Sequence, residues 1–147
     1  MKRFILAVLF LALALPAAAV SVTKEGKLYD YKVTRVKDGD TVEIEANFLP
    51  APLKPLLSVR VLGVDTPEKA PRAKCPAEAA GGAAATEFTK KAVAGAKRIQ
   101  IELVDWDKFG GRVLGDVIID GKRLSQSLID NKLARPYHGE AKSSWCN

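Results

Sequence analysis

The first half of the chain contains two short segments in which apolar and polar side chains alternate. Residues 31–36 and residues 41–45 each alternate with a period close to two, as expected of half-buried strands. The dipeptide Asp38-Gly39 lies between them and is typical of a tight turn. The pattern therefore predicts a hairpin in which Asp40 stands at the start of the second strand.

A third apolar segment, residues 59–64, predicts another strand. The loop Asp65-Thr66-Pro67-Glu68 follows it, because proline lacks the N–H group that strand pairing requires. Before this strand, residues 47–57 contain three prolines among apolar residues, so we expect a long loop there. This loop either forms a wall beside a functional site or packs its leucines on the rim of the barrel.

An alanine-rich segment, residues 77–96, favours a helix. Gly81-Gly82 weakens its start, because each glycine costs roughly 1 kcal/mol relative to alanine in a helix. We therefore expect firm helix only from about Ala83, with a stop at Gly95, and we interpret the helix as scaffold. The side chains expected to face the core recur at helical spacing and are Phe88, Ala92 and Val93.

The second half of the chain predicts two more strands and a shorter helix. The strands cover residues 98–105 and residues 113–119, with a turn at residues 107–111. The helix begins near Leu124 and ends near Asn131, and only a tail remains after it. Five strands with a helix between the third and the fourth are typical of an OB-fold, a partly open Greek-key barrel. The predicted class is therefore α+β, a β-barrel with two helices.

The N-terminus has the pattern of a secretory signal peptide over residues 1–19. A basic start is followed by an apolar run at residues 4–15 and by small residues before the expected cleavage after Ala19. The run is shorter than the about 20 residues of a membrane span, so a retained anchor is the weaker alternative. We expect export to the periplasm or the medium, no membrane association after cleavage, and one folded domain over residues 28–147.

Charge changes this picture only slightly. The whole chain carries 23 basic and 17 acidic residues, a formal net charge of +6. Cleavage would remove Lys2 and Arg3, which leaves a net charge of about +4. A mildly basic protein is compatible with a polyanionic substrate but does not demonstrate one.

The chain has two cysteines, Cys75 and Cys146. In an exported protein such a pair suggests one disulfide, which would tie the extreme C-terminus to the loop after Glu68. A loop of this length would be stabilised by roughly 4 kcal/mol on the chain-entropy estimate. The alternatives are two free thiols, or a metal role that two cysteines alone do not complete.

Carboxylates and arginines gather near the predicted strand ends. Asp40, Asp65 and Glu68 supply the oxygens that a hard divalent cation prefers. Arg60 and Arg112 supply planar guanidinium groups, which hold the extra negative charge of a phosphate in its transition state. A carboxylate can also accept a proton from an attacking water. The set indicates phosphodiester chemistry, and its strongest structural alternative is an ion pair between Arg60 and Glu68.

At this point the chain resembles the staphylococcal nuclease (thermonuclease) family. The resemblance covers roughly residues 29–137 and rests on separated motifs that occur in the family's order with compatible spacing. Those motifs are Asp38-Gly39-Asp40-Thr41-Val42, Arg60, Asp65-Thr66-Pro67-Glu68, Phe88-Thr89-Lys90-Lys91, Asp107-Lys108-Phe109-Gly110-Gly111-Arg112 and Asp120-Gly121-Lys122. The resemblance also implies the OB-fold.

The resemblance implies a role for each matching residue. Asp40 and Asp65 would bind Ca²⁺ through their carboxylates, and Thr66 would add its backbone carbonyl. Glu68 matches the family's proposed general base or water-orienting group. The residues expected to hold phosphate oxygens are Arg60 and Arg112.

Three further positions resemble nucleotide contacts of the family. They are Lys108, Phe109 and Tyr137, and Phe109 stands where a tyrosine is common, so it can stack but cannot donate a hydrogen bond. Tyr137 has the alternative of a simple rim residue. We interpret Asp38 as a turn former and His138 as a surface histidine.

The chain departs from the family pattern in two places. Gly110-Gly111 adds a residue before Arg112, which either shifts the arginine or is absorbed by a glycine bulge. The third, C-terminal helix of the family is missing or much reduced. A Cys75–Cys146 bridge would replace its anchoring role.

The activity implied by the resemblance is calcium-dependent hydrolysis of DNA and RNA with little sequence specificity, leaving 3′-phosphates. We expect a monomer without a stable protein partner that prefers single-stranded substrate. Two alternatives remain open: a non-catalytic OB-fold that binds single-stranded nucleic acid, and a structural module stabilised by calcium. The second leaves the two arginines without a role.

Overall fold

The computed structural model describes residues 26–146, so the predicted signal peptide lies outside the described residues. Within that range no helix is both long and apolar enough to cross a membrane. The strands and helices, in chain order, are β1 (Lys27–Tyr29), β2 (Val33–Asp38), β3 (Thr41–Glu45), β4 (Leu56–Val61), β5 (Val64–Asp65), α1 (Pro76–Gly95), β6 (Ile99–Trp106), β7 (Arg112–Ile119), β8 (Lys122–Arg123), α2 (Leu124–Asp130) and β9 (Arg135–Pro136).

One mixed sheet forms most of the domain. Its strands follow the order β1-β6-β7-β4-β3-β2, and β8 adds to β7. The ladder between β4 and β7 is parallel, whereas the other ladders of this sheet are antiparallel. Two strands separated by α1 and β6 thus lie side by side, which gives the Greek-key connection of a partly open OB-fold barrel. The predicted α+β fold is confirmed.

The hydrophobic core explains why these segments become strands. Val42 and Ile44 on β3 and Val59 and Val61 on β4 alternate with polar neighbours and are almost fully buried. Ile101, Val117, Leu124 and Leu128 close the core from β6, β7 and α2. Each element therefore buries its apolar face against the others, as the period-two and helical patterns require.

The prediction for the start of α1 was wrong by about seven residues. The helix begins at Pro76, a residue favoured in the first turn, and the Cys75 sulfur accepts a hydrogen bond from the Glu78 N–H. Gly82 lies inside the helix, and this position requires glycine because a Cβ there would come within 2.5 Å of the Glu68 carbonyl carbon. The glycine pair therefore marks a close approach between helix and loop and does not mark a weak helix start.

The predicted core-facing residue Phe88 does pack against the core, and Ala92 and Val93 are half-buried, but the most buried positions of α1 are others. Ala85, Thr86 and Thr89 are fully buried, whereas Phe88 is only partly buried against the core. Small residues occupy this face because the helix lies close to the turn at Gly39 and to the loop at Glu68. The scaffold role of the helix is retained.

Three further differences concern segment ends. No strand was predicted before residue 31, but β1 forms there and pairs with β6, with Lys27 opposite Leu103. The third strand covers Leu56–Val61, whereas Val64 and Asp65 form a separate short ladder with β9. A glycine in left-handed conformation, Gly63, bends the chain between these two ladders.

The proline-rich loop lies between β3 and β4 and lines neither of the clefts described below. Its Leu53 is 58% exposed, and the ring of Phe48 contacts Tyr31. The expectation of a wall is therefore not met, and that of packed leucines holds only in part: Leu57, already on β4, packs against the core, whereas Leu53 and Leu56 are exposed.

After β9 the described chain contains no third helix. Residues 137–146 cross back over the domain, and the predicted disulfide between Cys75 and Cys146 is present.

Candidate active site

The turn that carries Asp40 is held against α1. Thr89 donates its hydroxyl hydrogen bond to the Gly39 carbonyl, at 2.7 Å. A Cβ on Gly39 would lie 2.6 Å from the Ala85 side chain, so only glycine allows the turn to lie this close to the helix. This packing fixes the backbone on which Asp40 is carried.

The Asp40 carboxylate is buried and joins two loops. One oxygen accepts hydrogen bonds from the backbone N–H of Thr66, at 3.2 Å, and from its hydroxyl, at 2.8 Å. The other oxygen accepts from the Thr41 hydroxyl and forms an ion pair with Arg60. Asp40 and Thr66 are thereby brought together, although 26 residues separate them in sequence.

Asp65 stands at the end of β5 with its side chain 7% exposed. Its Oδ2 accepts a hydrogen bond from the Trp145 indole N–H at 3.1 Å. Its Oδ1 is in ion-pair contact with Lys142 and lies 4.0 Å from Arg60, but accepts no hydrogen bond of normal geometry. One oxygen of this carboxylate is therefore fixed, and the other faces only cations.

Arg60 lies between the two aspartates. Its guanidinium pairs with Asp40, lies near Asp65 and donates to the Val64 carbonyl at 3.3 Å. Burial, followed by the positive charge of Arg112, lowers the pKa of Arg60 from its ordinary value. Two cations in one buried site cost free energy unless anions are near, so the pair of arginines is arranged to receive negative charge.

Arg112 begins β7 directly after two glycines in left-handed conformation. The arginine forms an ion pair with Asp107, across the turn that contains both glycines. Burial raises the pKa of Asp107, but the Phe109 N–H and the Arg112 guanidinium outweigh it, so the net shift is downward. Asp107 is ionised and holds the arginine in place.

Glu68 is more exposed than the aspartates, at 40% of its side chain. It pairs with Arg72 at 2.9 Å, and Arg72 also reaches Asp38 at 3.2 Å. The alternative of a structural Arg60–Glu68 ion pair is therefore wrong. Asp38 lies at the turn, as predicted, but also has this ionic partner.

Glu78 of α1 supports the loop that carries Glu68. Its buried carboxylate accepts hydrogen bonds from the backbone N–H groups of Lys74, at 2.7 Å, and Glu68, at 3.5 Å. With the disulfide beside it, Glu78 holds both ends of this loop on the helix.

Two depressions share the same cations. We call the smaller, of about 150 Å³, the acidic cleft, and it is lined by Asp38, Asp40, Thr41, Arg60, Thr66, Pro67, Glu68, Arg72, Arg112 and Lys142. The larger, of about 500 Å³, we call the aromatic groove; the predicted substrate residues Lys108, Phe109 and Tyr137 line it together with Trp106. Arg60, Arg112 and Lys142 line both.

The donor set beside the cleft fits a hard divalent cation. Two buried aspartates supply only oxygen, and Asp65 Oδ1, which accepts no hydrogen bond of normal geometry, already faces a cation, the Lys142 ammonium. Among residues 26–146 the only group of three His, Cys, Asp or Glu side chains with ligand atoms within 4.8 Å of one another is Cys75, Glu78 and Cys146. Its cysteines are bonded to each other, so we do not interpret it as a metal site.

Several functional neighbours were missed by the sequence analysis. Asp107 was quoted only within a motif, Arg72 was assigned no role, and Lys142 and Trp145 fall in the tail, for which no role was predicted. Asp107, five residues before Arg112, had a signal in that spacing. For Lys142 and Trp145 the sequence offers none, because their contact with Asp65 spans about 80 residues.

A comparison with protein-family models gives a match over much of the described chain. Residues 58–144, more than half of the chain, match the model described as staphylococcal nuclease homologue. The match includes Arg60, Asp65, Glu68 and Arg112, whereas Asp40 lies before it. At the level of the family this supports nuclease activity, that is, hydrolysis of phosphodiester bonds. The chain therefore belongs to the family of staphylococcal nuclease homologues.

Proposed function

We propose that this protein is a calcium-dependent endonuclease that cleaves DNA and RNA with little sequence specificity. One observation carries the proposal: Arg60 and Arg112 line both a cleft of carboxylates and a groove of aromatic rings. A nucleic acid strand needs both surfaces at once, because its phosphates and its bases are adjacent.

The two guanidinium groups bind the scissile phosphate in this proposal. Each is already held by a carboxylate, Arg60 by Asp40 and Arg112 by Asp107, so little side-chain entropy is lost when phosphate binds. Their planar forks match phosphate oxygens and stabilise the charge that develops in the transition state.

Glu68 orients the attacking water and accepts its proton. It lines the acidic cleft together with both arginines. Its ion pair with Arg72 joins two substantially exposed side chains and is therefore weak, so the carboxylate remains available to a water. The backbone under Glu68 is fixed by Glu78, which keeps the carboxylate on the cleft side.

Asp40, Asp65 and the carbonyl of Thr66 would hold Ca²⁺. When bound, the ion supplies positive charge that polarises the phosphate and balances the carboxylates. In its absence Arg60 and Lys142 are the cations that contact these aspartates.

The aromatic groove binds bases by stacking. Phe109 is 78% and Trp106 is 64% exposed, and Lys108 lies 5.1 Å from the Phe109 ring. Stacking on exposed rings is tolerant of sequence and requires an unpaired base, which favours single-stranded substrate. That the cleaved products carry 3′-phosphates is implied by the family resemblance alone.

We also propose export to the periplasm or the medium, where the protein acts as a monomer after signal cleavage. The disulfide supports this, because such bonds persist in oxidising compartments. Fractionation of the producing cells, with detection of the processed form, tests it. Unprocessed protein confined to the cytoplasm would contradict it.

The deciding experiment measures digestion of single-stranded DNA with calcium and with a chelator, for the wild type and for Glu68→Gln. Loss of a general base lowers the rate by about 100- to 10,000-fold. Glu87→Gln is the matched control, because Glu87 is an exposed helix residue paired with Lys90, away from both clefts.

The proposal is supported if cutting requires calcium and falls in Glu68→Gln but not in Glu87→Gln. Strand binding by the wild type without cutting indicates the non-catalytic binding module instead. Cutting that survives both the chelator and the substitution shows that the calcium and base assignments are wrong.

A further inference from the structure

We infer that Trp145 is a positioning residue for Asp65 and that it fixes this carboxylate for cation binding. The inference rests on the calcium site proposed above. Its basis is the hydrogen bond from the Trp145 indole Nε1–H to Asp65 Oδ2, at 3.1 Å, between residues 80 positions apart.

The indole is held in place from three sides. The Arg135 guanidinium lies 3.5 Å from the centre of its ring, and Arg135 is also the ladder partner of Asp65. The same arginine donates to the Ser144 carbonyl at 2.8 Å. Cys146, the next residue, is bonded to Cys75 at the start of α1. The tryptophan therefore belongs to a closed set of contacts that begins and ends at Asp65.

The chemistry of the indole suits this role. Its N–H can only donate, so it holds a carboxylate oxygen without competing for the cation. Because Oδ2 is occupied, the Asp65 side chain is restrained in the orientation in which Oδ1 remains without a hydrogen bond. Hydrogen bonds of this kind to metal-binding carboxylates typically contribute 10- to 100-fold to metal affinity.

The first test needs no metal. The chain has two tryptophans, so protein with ¹⁵N-labelled indoles gives one N–H signal from Trp145 and one from the exposed Trp106. In calcium-free, oxidised protein we expect the Trp145 proton to exchange with solvent at least about tenfold more slowly than the Trp106 proton. Equal exchange rates would overturn the inference, whatever the protein does with calcium.

The second test is calorimetric titration with Ca²⁺. Trp145→Phe keeps an aromatic ring over Arg135 but removes the N–H group, and we expect its calcium affinity to fall by about tenfold. Ser144→Ala is the matched control, because its hydroxyl bonds only within the tail, to the backbone of Cys146. It should bind calcium as the wild type does.

A third test removes the disulfide and asks whether Trp145 needs an anchored tail in order to hold Asp65. The variant Cys75→Ser/Cys146→Ser keeps Trp145, and we expect faster indole exchange together with weaker calcium binding. If the wild type and Trp145→Phe bind calcium equally, the inference fails while the proposed calcium site stands. If the wild type binds no calcium, the proposed site fails and takes the inference with it.

Discussion

The carboxylates in and beside the acidic cleft are already in contact with cations. Asp40 contacts Arg60, Asp65 contacts Lys142, and Glu68 contacts Arg72. The buried aspartates need these partners, because an isolated buried carboxylate costs several kcal/mol. Cation binding at Asp65 must therefore displace or reorient the Lys142 ammonium.

Lys142→Met should consequently tighten calcium binding. The Lys142 Nζ lies 2.5 Å from Asp65 Oδ1. Repulsion between two unit charges about 4 Å apart is worth roughly 1 kcal/mol even under aqueous screening, so removal of the ammonium should raise the calcium affinity by at least about fivefold. Calorimetric titration measures the change. Lys122→Met, at the far end of β7 from Arg112, is the control and should leave the affinity unchanged. Equal or weaker binding by Lys142→Met would show that the lysine does not compete with the cation.

At the scale of elements, α1 positions both loops of the site. At Gly39 the turn lies directly against the Ala85 side chain of α1. At Gly82 the helix lies directly against the backbone of the loop at Glu68. Thr89 and Glu78 then add hydrogen bonds to the same loops. The buried face of the helix thus holds the backbones of the two loops that carry Asp40 and Glu68.

Gly82→Ala tests this role of the helix. The new Cβ would meet the Glu68 and Lys69 backbone at 2.5–2.6 Å, and overpacking of this kind costs about 1–3 kcal/mol, more than the roughly 1 kcal/mol gained in helix propensity. We expect a lower melting temperature and a lower kcat on single-stranded DNA. Gly95→Ala, with nothing within 4 Å of the new Cβ, should show neither effect. A Gly82→Ala protein with wild-type stability and kcat would refute the close approach.

At the scale of the whole molecule, a second charged cluster joins the strands on the side away from the cleft. Arg123 of β8 donates to Glu102 of β6 at 3.1 Å and lies near Asp116 of β7. The hydrogen bond from Arg123 lowers the pKa of Glu102, although burial partly opposes the shift. Burial raises the pKa of Asp116 despite its hydrogen bonds to Ser125. The two carboxylates therefore affect acid stability with opposite signs.

Glu102→Gln should destabilise the protein at pH 7, by about 1–2 kcal/mol, because Arg123 is half exposed and water screens the pair. A carboxyl with a lowered pKa in the folded state stabilises above its unfolded pKa, near 4.3, and loses this contribution as pH falls through the folded value. The difference between wild type and variant should thus shrink below about pH 4. Urea unfolding at pH 7 and pH 3 measures it.

The control for this effect is Glu87→Gln, whose pairing with Lys90 is fully exposed and should not alter the urea midpoint at either pH. A Glu102→Gln difference that is the same at both pH values would show that packing, and not ionisation, accounts for the loss.

The sequence by itself determined the five longer strands, apart from their ends, and the identity of the candidate catalytic groups. Alternation over β2 and β3 and the turn at Asp38-Gly39 follow from local physics, since side-chain period and turn geometry depend only on neighbouring residues. The family motifs likewise carry their chemistry in short stretches. The disulfide was predicted from the pair of cysteines and the expected export, and it is present.

Only the tertiary structure decided which group contacts which. The sequence analysis interpreted Gly82 as a weak helix position. The reason for a glycine there is the backbone of the loop at Glu68, which contacts the helix only in the folded structure. Asp65 has two partners from the C-terminal tail, Lys142 and Trp145. Glu68 pairs with Arg72, and not with Arg60 as one alternative had it. Ion pairs and close approaches depend on distances between segments that the chain path sets, and no period or spacing along the sequence encodes those distances.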